Sequence, residues 1–113
     1  AGMGMSNDAA RTARIQDWTG ASDRETTTRA MFDMFSTDLR PQLDQVRSPT
    51  LVLGAWAAYA PMGSTLDSTR GIFEAQYATL PGVRIEMSEA GYHFLMFDDL
   101  DWLLGNARSH LLK

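Results

Sequence analysis

The chain has 113 residues, 44% of them hydrophobic and 21% charged, which is ordinary composition for one globular domain with a core of its own. A net charge of −4, with the basic residues scattered rather than clustered, excludes nucleic acid as a partner. No apolar run approaches the roughly 20 residues that span a bilayer, and with no cysteine there is no disulfide framework, thiolate nucleophile or zinc knuckle.

Residues 1–8 combine two glycines with a polar end and no periodicity, and read as a mobile terminus. Gly2-Met3-Gly4-Met5-Ser6 invites comparison with a nucleophile elbow. That motif needs Gly-x-Ser-x-Gly between a strand and a helix, and here the serine is out of place with no strand before it. Nothing in this stretch has the basic-then-apolar order of a signal peptide, so a soluble, cytoplasmic rather than secreted setting is expected.

Asp8 to Trp18 reads as a short helix, capped by Asn7 or Asp8 and ended by Thr19-Gly20. Ser22-Asp23-Arg24-Glu25 then reads as a capping box opening a second helix that runs to about Ser36. Ala30, Met31, Met34 and Phe35, with Phe32 beside them, form a broad apolar stripe on it. Two readings of the stripe stand together: a core-facing surface, or an adaptable wall for an apolar ligand, since methionine fits irregular apolar groups. Thr37 to Val46 is a further cap and short helix with Pro41 in its first turn.

Thr50-Leu51-Val52-Leu53 is an unbroken apolar run suited to a parallel strand covered on both faces. The small-residue stretch Gly54 to Ser64 is a loop. Residues 65–80 carry Leu66, Ile72, Phe73, Tyr77 and Leu80 at helical spacing, closed by Pro81-Gly82. Val83-Arg84-Ile85-Glu86-Met87 alternates with the two-residue period of a strand. Two strands joined by a helix imply a parallel pair with a right-handed crossover. Behind Asp98 and Asp99, which suit a helix N-terminus, Leu100, Leu103, Leu104, Ala107, Leu111 and Leu112 mark a terminal helix. His93 lies on the loop between that second strand and that helix, at the end of the sheet where open α/β folds bind ligands. His110, near the C-terminal end of the last helix, is assigned no chemistry beyond a favourable place in the helix dipole.

Pro49 to Gly54, a helix ending near Leu80-Pro81-Gly82-Val83, a strand, and Gly91-Tyr92-His93-Phe94 with Asp98 behind it resemble the C-terminal third of an α/β-hydrolase. The resemblance covers about residues 38–113. It implies an α/β fold: the last two parallel strands of such a domain with flanking helices, preceded over residues 1–37 by a helical lid with a mobile N-terminus. In that superfamily the last conserved loop carries the general-base histidine of a serine hydrolase triad, and His93 is the matching position. The lid would place Met31, Met34 and Phe35 against an apolar acyl group, with Trp56 of the strand-end loop as a further substrate contact.

The chain departs from the family pattern at the acid. The loop after the first of these strands often supplies it two or three residues past the glycine, and here Trp56, Ala57 and Ala58 occupy that place. Asp67 is the nearest carboxylate downstream and has two readings, triad acid or first turn of the following helix. In some branches the acid comes from the preceding strand. No Gly-x-Ser-x-Gly elbow occurs in the sequence. The resemblance therefore implies an esterase-like serine hydrolase whose nucleophile and N-terminal half lie outside these residues, acting on a small apolar ester with no cofactor and no metal. The alternatives are a non-catalytic interaction module that reuses half the fold, or the same fold with dehalogenase or perhydrolase chemistry.

Overall fold

The computed structural model describes residues 4–112. Helix α1 runs Ala9–Ala21, with the Asp8 carboxylate accepting from the Arg11 amide at 2.8 Å. It continues through the expected stop at Thr19-Gly20, because its last carbonyls find side-chain donors. Thr19 Oγ1 donates to the Ile15 carbonyl at 3.0 Å and Ser22 Oγ to the Trp18 carbonyl at 2.8 Å. That use of Ser22 removes it from the capping box expected for the next helix. Helix α2, Arg24–Ser36, is capped instead by Asp23, which accepts from both the amide and the hydroxyl of Thr26. Glu25 turns to Arg29 one turn on, at 3.5 Å.

Ile15 on α1 is buried, and Trp18 lies 6.2 Å from the ring of Phe97, over which the Arg11 guanidinium also sits at 5.4 Å. No residue of α2 is buried. Its stripe faces outward, with Phe32 70% and Phe35 79% exposed, so the core-facing reading of that stripe does not hold among the described residues.

After a 3₁₀ turn over Arg40–Gln45, strand β1 (Leu51–Gly54) leads to a second 3₁₀ turn, Ala57–Met62, within the expected loop. This turn closes on Gly63 at φ 93°, a left-handed conformation that glycine adopts without a Cβ clash. Helix α3 (Leu66–Gln76) opens with a reciprocal pair: Thr65 Oγ1 accepts from the Ser68 amide and Ser68 Oγ from the Thr65 amide. Asp67 sits exposed in its first turn. The helix stops earlier than the sequence spacing suggests, and the turn beyond it buries Leu80.

Strand β2 (Arg84–Met87) pairs with β1 in parallel, Leu51 opposite Arg84 and Gly54 opposite Met87. Its alternation works as read: the Arg84 guanidinium meets Glu86 at 3.1 Å on one face, while Met87 is buried on the other. Gly54 makes room for it, since a Cβ there would stand 2.5 Å from the Met87 sulfur and displace that buried side chain. The short helix α4 (Leu95–Asp98) and the terminal helix α5 (Leu100–Leu111) complete a mixed α/β unit with a buried set of Ile15, Leu80, Met87 and Leu95. His110 Nε2 reaches the Pro49 carbonyl at 3.2 Å, tying α5 to the chain entering β1. Among the described residues no helix is long and apolar enough to cross a membrane.

Candidate functional site

The loop from Ser88 to Phe94 continues directly from β2, whose ladder is extended by the Ser88 amide donating to the Gly54 carbonyl at 2.9 Å. Ser88 is fully buried, so its hydroxyl needs partners on both sides. It has them: Oγ donates to Asp99 Oδ2 at 2.7 Å and accepts from the Gly91 amide at 2.9 Å. Gly91 is buried against this pair, and a Cβ there would come within 2.5 Å of a Leu95 methyl. The loop therefore turns tightly and leaves His93 on its outer side, exposed, with its ring edge-on to Phe94 at 5.3 Å.

A second set of bonds fixes the same loop from the other end of the chain. The Phe94 amide donates to the Met5 carbonyl at 2.8 Å and the His93 amide to the Gly4 carbonyl at 3.4 Å. Asp98 accepts from Ser6 Oγ at 2.6 Å, from the Asn7 amide at 2.9 Å and from the Tyr92 amide at 3.0 Å. Asn7 Nδ2 also donates to the Ala90 carbonyl. These contacts tie residues 4–7, part of the stretch 1–8 expected to be mobile, to the histidine loop; residues 1–3 lie outside the described residues. They also change the roles of Asp98 and Asp99, which act as cross-links to distant donors rather than as side-chain caps of α5. Ser6, the serine of the elbow-like stretch, is buried and bonded to Asp98.

His93 lines a cavity of about 590 Å³, together with Gly4, Met5 and Tyr92, the strand-end residues Leu53, Ala55, Trp56, Ala58 and Tyr59, and Ser64, Thr69, Ile72, Phe73 and Leu95. No Asp, Glu, Lys or Arg is among these residues. Most of the lining residues are apolar or aromatic, and Tyr59, Ser64, Thr69, Tyr92, Trp56 and His93 are those with polar side-chain atoms. Trp56 Nε1 is buried without a hydrogen-bond partner, the one such side-chain atom among the described residues.

Of the residues singled out from the sequence, the fold brings His93 and Trp56 to one cavity. Met31, Met34 and Phe35 do not line it. Phe35 instead borders a larger hollow of about 770 Å³ with Leu39, Arg40, Leu43 and Tyr77, which shares the lining residues Ile72 and Phe73 with the histidine cavity. The larger space holds no histidine, so the smaller one is the better chemical candidate. Asp67 is not in the lining either, and the His93 imidazole makes no hydrogen bond to a carboxylate among the described residues. No group of three or more His, Asp or Glu side chains there is placed to hold a metal ion.

The sequence offered no sign that Met5, Ser64 or Thr69 would meet His93. They come from the N-terminal turn, the loop before α3 and α3 itself and carry no motif, so only the closing of the chain around β1 and β2 brings them together. Comparison with known proteins adds nothing to this geometry: no family model, no curated protein and no solved structure matches the chain.

Proposed function

We propose that this chain is the C-terminal part of an α/β-hydrolase of the serine esterase kind, with His93 as its general base. The observation that carries the reading is the place of His93: on the loop that leaves a parallel strand, lining an uncharged cavity beside the loop that leaves the neighbouring strand. In that reading a serine hydroxyl contributed by another part of the protein attacks the ester carbonyl, and its proton passes to an imidazole nitrogen of His93. The same proton then goes to the departing alkoxide as the carbon–oxygen bond breaks. Water repeats the sequence on the acyl-enzyme and returns the acid and the free serine. Oxyanion donors and the acid that orients the imidazole are likewise assigned to the rest of the protein.

The lining also bears on substrate. A charged acyl or alcohol group would enter this cavity without an opposite charge among its lining residues, whereas an uncharged ester loses little on leaving water. The protein should therefore release p-nitrophenol from p-nitrophenyl butyrate with a burst, and should turn over a succinate monoester of similar length far more slowly. Failure to hydrolyse any C2 to C8 p-nitrophenyl ester would sink the proposal.

A second reading, a non-catalytic interaction module, draws support from Ala57 and Ala58 at the acid position and from the outward stripe of α2. It predicts no turnover at all, with binding through the exposed Phe32 and Phe35 face instead.

A further inference from the structure

Asp98 stands out because three donors from two stretches far apart in sequence converge on it. Ser6 Oγ bonds its Oδ1, while the amides of Asn7 and Tyr92 share its Oδ2. Bonds to an ionised acceptor are about twice as strong as neutral ones. Ser6 and Asn7 lead directly into the chain that supplies Gly4 and Met5, and Tyr92 leads into His93. The carboxylate thus holds together the two backbones that face each other across the main-chain bonds of Gly4 and Met5 to His93 and Phe94. Gly4 and Met5 on one side, and Tyr92 and His93 on the other, border the same cavity.

The geometry points to Asp98 as a positioning residue for this site: by pinning residues 4–7 onto the histidine loop it fixes Met5 as a cavity wall, and so sets the length of apolar group that the cavity accepts. This rests on the reading above that the cavity receives an acyl group. Alanine in its place removes all three bonds, whereas asparagine keeps a partner for each, its oxygen accepting from the two amides and its amino group donating to the Ser6 hydroxyl. Loosening the pin lets the Met5 wall move outward, and longer chains gain room that short ones do not use.

The test uses 1-alkanols from ethanol to octanol, which cannot be hydrolysed, with binding followed by tryptophan fluorescence. In the Asp98→Ala protein the octanol-to-butanol affinity ratio should rise about tenfold, an increment of the size that one methylene commands in an apolar pocket. Met5→Ala should reproduce that shift with the Asp98 bonds intact, and the double variant should show no further gain, since both act on one wall. Ser6→Ala, which removes one of the three bonds to Asp98 together with the one that Ser6 Oγ accepts from the Asp8 amide, should give a smaller shift in the same direction and carries the test should Asp98→Ala not fold. Equal changes for every chain length, additive effects in the double variant, or no alkanol binding by the unaltered protein would each overturn the proposal. A protein that shows the length shift yet hydrolyses no ester would lose the catalytic reading and keep the role of Asp98.

Discussion

Helices α1 and α2 are each thirteen residues long and each capped by an aspartate, yet they end in opposite situations. The first buries Ile15 and sets Trp18 against Phe97; the second buries nothing. The more apolar-looking stripe is the one left bare. The difference teaches that helical periodicity specifies a face but not its cover. Which face is covered depends on the polar anchors around it: the chain entering α1 is tied to the histidine loop through Ser6, Asn7 and Asp98, while α2 has no such tie among the described residues.

The largest effect that would break this contrast is at Ile15. Ile15→Ala removes a buried side chain that little can collapse around, and should cost about 2 to 5 kcal/mol in denaturant unfolding. A cost below about 0.5 kcal/mol, the surface range, would place Ile15 with the exposed residues of α2.

Acid separates the helices next. Hydrogen bonds from the Thr26 hydroxyl, and then from its amide, hold the Asp23 carboxyl below its ordinary value of 3.8. A carboxyl depressed in the folded state contributes stability that is in place above the unfolded value and is lost as pH falls through the folded one. The α2 cap should therefore be intact at pH 5 and fray below about 4, seen as a falling protection factor of the Thr26 amide, the one bonded to Asp23, relative to its intrinsic exchange rate at each pH. The Asp38 carboxyl, drawn down to about 2 by hydrogen bonds from the Arg40 side chain and amide, should keep its ion pair well below the pH at which that fraying begins. A Thr26 protection factor that does not change as the pH falls toward 2 would mean the Asp23 cap contributes nothing.

The smallest effect is at Phe35. It is 79% exposed, so Phe35→Ser should shift stability by no more than about 0.5 kcal/mol. The same change should weaken binding of a hydrophobic dye, because the stripe is an open apolar face. A loss of stability comparable to Ile15→Ala would show that α2 packs after all.

Much of the fold was legible because it follows local rules. The apolar run Leu51 to Leu53 and the alternation of Arg84 to Met87 became the paired strands, and His93 fell on the loop between strand and helix as its neighbours implied. Where the reading failed, a side chain with a local use was taken by a distant or competing one. Ser22 gave its hydroxyl to a carbonyl of the preceding helix, and Asp98 gave its carboxylate to donors 92, 91 and 6 residues away. A short polar side chain satisfies a cap and a cross-link with the same atoms, so sequence position alone does not distinguish them.

The functional claim turns on whether His93 moves a proton. In the protein, His93→Gly should lower p-nitrophenyl butyrate hydrolysis by about three orders of magnitude or more, as loss of a triad base does. Imidazole added to that variant should restore part of the lost rate by occupying the vacated place. Hydrolysis by His93→Gly at the unaltered protein's rate, with no response to imidazole, would contradict the account.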